Sequence, residues 1–254
     1  MKLIFNYFKT FNKVILSEKI PFIYSVVVPV CIFMFNNFEN LVSSTWSVSQ
    51  LLNQTVNYVG YIIVSVAING VGMQLISFRE SGFLKTYTMI SGGNKKYGVI
   101  GLVLSEMLFG YLSVFIFGFV IGLFYLKNLL LILTFYTISY LFAGIPVFLL
   151  AILLGTLPVK INTISTVANI GLFGMGWLSI LRNDTHSILG EIVYGLNPID
   201  YVSQVLLTIN QAFRNAASVA SYQILAVLIL LIIFGGIGIG SISKVRLNSL
   251  NMRN

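Results

Sequence analysis

The chain has 254 residues, of which 57% are hydrophobic and only 9% charged. An ordinary soluble domain carries about 25% charged residues, so a soluble protein of this size could not hide so much apolar surface. The formal charge of +8 comes from 15 basic residues scattered between long apolar runs, without the basic stripe that phosphate binding needs, and this excludes a nucleic-acid partner.

At the N-terminus, Asn6, Lys9, Thr10, Asn12 and Lys13 interrupt what would have to be an unbroken apolar core in a signal peptide. The segment is therefore expected to be retained. As a helix it places Ile4, Phe8, Phe11 and Ile15 on one face and Lys2, Asn6, Lys9 and Lys13 on another, which suits an amphipathic helix over 1–20 lying in the headgroup layer.

A helical crossing takes about 20 mostly apolar residues. Six stretches qualify: Pro21 to Phe35, Val56 to Ile76, Tyr97 to Leu123, Leu129 to Leu153, Ile161 to Leu181 and Tyr222 to Ser243. The first is short and carries Pro29, so the preceding amphipathic segment is expected to extend it. The only cysteine, Cys31, lies in that stretch; it excludes an internal disulfide and reads as a packing residue.

Lys and Arg counts set the orientation. With the N-terminus inside, the inner segments hold Lys2, Lys9, Lys13, Lys19, Arg79, Lys85, Lys95, Lys96, Lys160, Lys244, Arg246 and Arg253, and the outer loops hold Lys127, Arg182 and Arg214, a bias of 12 to 3. An odd number of spans would spoil it. The expectation is an all-α polytopic membrane protein with one six-helix domain over 21–243, a cytoplasmic tail over 244–254, and both termini in the cytoplasm. The outer loop 182–221 contains Ile188 to Leu196 and Tyr201 to Leu207, two apolar pieces too short to span and separated by Asn197 and Pro198, which suit re-entrant or interfacial helices.

The chemistry is defined as much by what is missing. Gly92, Gly93, Asn94, Lys95 and Lys96 lack the spacing of a phosphate-binding loop, so no cofactor or nucleotide is expected in this chain. The single histidine, His186, falls in an outer loop, which leaves no metal-protease helix and no histidine partner for serine catalysis. Among the carboxylates only Glu106 sits well inside a span, where it faces protein or water and reads equally as a helix-interface hydrogen bond or as part of a transport pathway. Gly118 and Gly122, and Gly236 and Gly240, are spaced for close helix approach.

Between the second and third spans the chain reads Phe78, Arg79, Glu80, Ser81, Gly82, Phe83, Leu84, Lys85, then Ile90, Ser91, Gly92, Gly93. This resembles the R-E-x-G-x-L-K segment of the ABC-2 type permeases, the membrane subunits of ATP-driven exporters. Asn197, Pro198, Ile199, Asp200 and Tyr201 are similar to that family's N-P-x-x-Y region. Phe83 stands where the family often has threonine, and Gly92 and Gly93 where a proline is common.

The resemblance implies that Arg79, Glu80, Gly82, Leu84 and Lys85, within a coupling segment over 77–96, dock on a separate ATPase subunit that binds ATP and magnesium. It also implies a second permease, identical or related, and a pathway lined by the first, second and fifth spans, with Asn57, Asn69, Asn169 and Met175, beside Glu106, as candidates. Asn197, Pro198 and Tyr201 would form the outer re-entrant region. The substrate would be hydrophobic or amphipathic, as with small permeases that export peptides or toxins across the cytoplasmic membrane of Gram-positive bacteria. Two other classes stay open on the residues alone: an ion-coupled transporter or channel without an ATPase, and an accessory or immunity subunit that binds a peptide without moving it.

Overall fold

The computed structural model describes residues 2–16, 23–43, 45–182, 187–214 and 219–248, and every regular element among them is helical. Among the described residues, five helical runs are long and apolar enough to cross a membrane: Ile23–Val42 (α2), Val48–Glu80 (α3), Lys96–Thr156, Ile161–Ile180 (α7) and Ser221–Ile242 (α10). At about 20 residues per crossing, runs of this kind make the chain a helical membrane protein. Lys19, His186 and Arg253 lie outside the described residues, as do Pro21 and the last residues of the expected tail.

The 61-residue run Lys96–Thr156 is far too long for one crossing and folds back on itself. A 3-10 turn, Leu123–Asn128, breaks it at Tyr125, whose φ of −128° and ψ of 53° are not helical. The result is an antiparallel pair, α5 (Lys96–Gly122) and α6 (Leu129–Ala151). Their contact uses the glycines of α5: a Cβ on Gly118 would strike the Tyr136 ring, one on Gly122 would lie 2.5 Å from Leu129, and one on Gly110 would lie 2.7 Å from Phe148. Close approach at Gly118 and Gly122 is thus packing within the chain.

α3 is the central helix. Ser47 and Gln50 form a capping box that starts it eight residues before the expected span, since the polar start Ser49 to Asn53 is stabilised by the cap. Midway, a π-helical turn, Ala67–Gly72, opens the helix. Gly70 and Gly72 leave notches there that receive the side chains of Glu106 from α5 and Leu154 from the 3-10 segment after α6. α2 begins as a π-helical turn, Ile23–Val27, and continues as an α-helix to Val42, past the expected end at Phe35, with a kink at Asn37, whose φ of −129° and ψ of 17° are not helical. Pro29 sits just after the π-helical turn, where its missing N–H leaves a carbonyl of that turn without an α-helical donor.

Four shorter helices lie among the described residues: α1 (Lys2–Ile15), α4 (Phe83–Ile90), α8 (Ile188–Gly195) and α9 (Pro198–Arg214). α1 lies across the start of α5, with Tyr7 against Gly101 and the Ser105 hydroxyl donating to the Phe8 carbonyl at 2.9 Å. Its buried face is Tyr7, Phe11 and Ile15, displaced from the expected Ile4, Phe8, Phe11 and Ile15. Tyr7 turns inward because its hydroxyl reaches the Tyr87 carbonyl of α4, at 2.8 Å.

α8 and α9 form a hairpin inserted beside α3. Going along α9, Ile199 meets Gly60, Ser203 meets Asn57 and Asn210 meets Asn53, so the hairpin turn lies about 18 Å inward from the capped start of α3. The two ends of the bundle differ in charge. Lys2, Lys9, Lys13, Arg79, Lys85, Lys95, Lys96, Lys160, Lys244 and Arg246 gather at one end, while Lys127, Arg182 and Arg214 are at the other.

α10 packs on α6 through Gly238, where a Cβ would collide with the Leu149 backbone, whereas Gly236 and Gly240 have nothing within 4 Å. Gly238→Leu should therefore destabilise the protein by about 1–3 kcal/mol or more, as overpacking against a backbone does, and Gly236→Leu should not. Thermal unfolding of the two variants in detergent checks this; equal unfolding temperatures would remove Gly238 from the α6–α10 contact.

Candidate functional site

The segment after α3 is built around Arg79. Its side chain has no exposed surface. Nη1 donates to the Leu157 carbonyl at 2.6 Å and Nη2 to the Val159 carbonyl. Beside it, Glu80 accepts the backbone N–H of Ile161 at 2.9 Å and stands 3.8 Å from Nη2 of Arg79. The chain leaving α6 turns through a 3-10 segment, Ile152–Thr156, and its last carbonyls have no helical donors ahead of them. A buried guanidinium supplies two donors in one fixed fork. Arg79 and Glu80 therefore hold the loop 157–161, and through it the start of α7, against the end of α3. Arg79, the first of the expected coupling residues, thus directs its guanidinium to carbonyls of its own chain.

Gly82, with φ of +78°, makes the turn from α3 into α4, a conformation that costs other residues a Cβ clash. Leu84 and Thr88 then point inward, while Phe83, Lys85, Thr86, Met89 and Ile90 are exposed. Of the five candidate coupling residues, Lys85 is exposed, Glu80 and Gly82 are half-buried, and Arg79 and Leu84 are interior. Five rings join this helix to its neighbours: Phe11 stacks on Phe78 at 5.5 Å, and Tyr87 meets Tyr7, Phe11, Phe78 and Phe83 at 5.5 to 6.4 Å.

A second clasp, which charge counting could not reveal, comes from the strap after α10. Lys95 Nζ donates to the Val245 carbonyl at 2.6 Å, Arg246 Nε to the Thr156 carbonyl at 3.0 Å, and the Arg246 N–H to Gly155 at 3.4 Å. Burial lowers the Lys95 pKa from its ordinary value. Arg79 and Arg246 thus serve neighbouring carbonyls of the same loop from two directions.

At the far end of α7 lies a polar cluster. Asp200, 2% exposed, accepts the Ser179 hydroxyl at 2.7 Å and the Asn197 amide at 2.7 Å. The same amide nitrogen donates to the Met175 carbonyl at 2.9 Å, and Asn197 Oδ1 accepts the Ile199 N–H. Asn57 Oδ1 lies 2.9 Å from Ser203 Oγ and 3.3 Å from Ser179 Oγ. Burial pushes the Asp200 carboxyl above the usual aspartate range, while the Ser179 hydroxyl, Arg182 and Asn197 oppose the shift and Glu191 adds to it. Arg182 is paired with Glu191 at 2.5 Å, and the Glu191 carbonyl accepts Gln204 Nε2. Pro198 occupies the first position of α9, and Tyr201, fully buried, packs on Phe234 and donates to the Phe142 carbonyl at 3.3 Å.

The structure therefore brings Asn57, Met175 and Asn197 together with Asp200, Ser179 and Ser203. The residues Asp200, Ser179 and Ser203 were missed as site candidates, although the spacing Asn197 to Asp200 on a helix start signals a side-chain cap. Glu106 stands apart, 2% exposed in the Gly70 notch. Asn69 and Asn169 are both exposed, Asn69 donating weakly to Ser65 Oγ at 3.4 Å. Because α3 and α7 run antiparallel between the contacts Asn57–Ser179 and Glu80–Ile161, Asn69 and Asn169 sit at one level. Cys31, expected in packing, is exposed on α2. No group of three His, Cys, Asp or Glu that could hold a metal occurs among the described residues.

Comparison of the chain with family models, with curated proteins and with solved structures finds no match in any of the three.

Arg79→Gln should leave at least one loop carbonyl unserved and cost on the order of 3 kcal/mol, with Arg79→Lys intermediate because an ammonium cannot span both carbonyls. Unfolding temperatures of the three proteins check the ranking; a glutamine variant as stable as the parent would refute the clasp. At the other end, Asp200→Asn keeps one acceptor, for Ser179, but turns an amide donor toward the Asn197 amide, so it should cost less than Asp200→Leu, which removes the acceptor of both Ser179 and Asn197 and should cost about 1–3 kcal/mol. The informative result is the difference between the two Asp200 variants, read by the same measurement.

Proposed function

We propose that this chain is the membrane-spanning permease subunit of an ABC-2 type exporter, crossing the membrane six times with both termini in the cytoplasm and drawing its energy from a separate ATPase subunit. The observation that carries the reading is α4: an eight-residue helix between two apolar helices, at the basic end, that presents Phe83, Lys85, Met89 and Ile90 outward while Leu84 and Thr88 anchor it. An apolar and cationic ridge of that kind suits a protein partner better than water. The six crossings follow from counting α5 and α6 separately within their long run. The inward orientation rests on the ten basic residues described at the α4 end against three at the other.

In this reading ATP and magnesium are bound by the ATPase, whose closure displaces α4. The displacement passes through Arg79 and Glu80 to the loop 157–161 and so to α7, whose far end is held by the Ser179–Asp200–Asn57 cluster. Asn69 and Asn169, flanked by the exposed Ile170 and Phe173, give the α3–α7 face mixed polar and apolar character. That composition fits an amphipathic substrate, a peptide or toxin, moving between this face and a second permease in a Gram-positive cytoplasmic membrane.

The test is purification of the tagged chain from its source membranes. The expected outcome is co-purification of an ATP-binding subunit with vanadate-sensitive hydrolysis, and loss of at least tenfold in association for Phe83→Asp combined with Ile90→Asp. Lys127→Glu, at the opposite end, should change nothing. Wild-type-level hydrolysis with the double variant would remove α4 as the docking element, and substrate transport driven by an ion gradient without any ATPase would replace the whole reading.

A further inference from the structure

We propose that α1 binds the anionic phospholipid surface at the basic end of the bundle, and that this contact sets the position of α4. The deep face of α1 is already used: Tyr7, Phe11 and Ile15 are buried against the protein. What remains outward is a stripe of Lys2, Lys9 and Lys13, all exposed, bordered by Phe5 and Leu16, which are 52% and 57% exposed. Lys9 lies over the Phe5 ring at 4.7 Å. No carboxylate among the described residues forms an ion pair with these three lysines; Glu80 is committed to Arg79 and the Ile161 N–H, and Glu106 is buried in its glycine notch.

Depth decides between a lipid surface and a soluble acidic protein. α1 crosses α5 at Gly101 and Ser105, five and nine residues inside the start of that span, which is roughly 8 to 14 Å along its axis. A helix beside the first turns of a span lies at headgroup level, with lysines reaching phosphate and the adjacent apolar edge reaching acyl chains. Each such lysine contributes roughly a fivefold preference for an anionic surface.

The consequence for α4 follows from direct contacts. Tyr7 donates to the Tyr87 carbonyl, and Phe11 packs on Phe78 and Tyr87, so α1 and α4 share one aromatic cluster. Fixing α1 at the headgroups fixes the rings on which α4 rests. The lipid contact stands on its own geometry; only its consequence for an ATPase rests on the proposed function.

The experiment uses the full chain alone in nanodiscs of phosphatidylcholine, or of phosphatidylcholine with an equal part of phosphatidylglycerol, and follows amide hydrogen exchange over 2–15 and 83–90. Anionic discs should slow exchange several-fold in both segments. The variant Lys2→Gln, Lys9→Gln, Lys13→Gln should lose both effects while unfolding as the parent does in phosphatidylcholine. Phe11→Leu should keep the effect on α1 and weaken it on α4. Equal exchange in the two lipids, or a lysine variant that responds as the parent does, overturns the lipid site. Protection of α1 without α4 in the parent overturns the transmission. Protection of α1 by an ATPase in lipid-free detergent, lost in the lysine variant, would assign the face to a protein instead. Because no ATPase is present in the main arm, its outcome is independent of whether the exporter reading stands.

Discussion

The architecture depends on what becomes of the backbone carbonyls where α6 ends. A helix leaves its last carbonyls without donors, and in a protein with so little charge few side chains can supply them. Arg79 does so from the end of α3, at Leu157 and Val159, and Arg246 does so from the strap after α10, at Thr156. Neither arginine pairs mainly with a carboxylate; each is held by carbonyl oxygens, the arrangement that satisfies a guanidinium and a loop together. The loop 155–161 is consequently tied to both α3 and the chain's last described segment, and α7 starts from a fixed point.

α3 organises the remainder because it changes character along its length. Its polar first turns, with Asn53 and Asn57, receive α9 through hydrogen bonds to Asn210 and Ser203. Its apolar middle, Val59 to Val66, is almost wholly buried. Its π-helical turn then offers glycine notches to Glu106 and Leu154, before Arg79 and Glu80 close it. One helix therefore meets a hairpin, a carboxylate and a loop with three different kinds of contact, each set by the residues at that level.

The helical class and the positions of the apolar runs were legible because hydropathy acts locally over about 20 residues. The α5–α6 pairing was half legible: Gly118 and Gly122 pointed to close approach, but only the fold shows Tyr136 and Leu129 in the notches. On α10 the spacing of Gly236 and Gly240 was misleading, since Gly238 makes the contact and its two neighbours face away. The face of α1 was legible only at Phe11 and Ile15; Tyr7 joins them because its ring packs inward and its hydroxyl finds a carbonyl 80 residues away, a contact no local pattern shows. Arg79 illustrates the general limit. Its charge is plain in the sequence, but its acceptors are 78 and 80 residues distant, and no local pattern distinguishes a buried guanidinium from a docking one.

α7 is held mainly at its two ends. Of its twenty residues only Ile164, Leu172 and Ser179 are buried, so apolar packing along its length is slight. Its firm contacts are polar and terminal: Glu80 on the Ile161 N–H at one end, Asp200 on the Ser179 hydroxyl and Asn197 on the Met175 carbonyl at the other. Tilting a helix through a well-packed core requires many side chains to repack at once, whereas exchanging a few hydrogen bonds between nearby partners does not. In the proposed exporter, a helix fixed at its ends and loose between them would carry a displacement of one end to the other. The exposed side of α7 carries Asn162, Thr163, Thr166 and Asn169; the Thr166 hydroxyl donates to the Asn162 carbonyl at 3.1 Å, whereas the two side-chain amides are groups that hydrocarbon would leave unsatisfied. A second permease of the kind proposed above would cover that side with protein, and the polar row would then lie between the two subunits rather than against lipid.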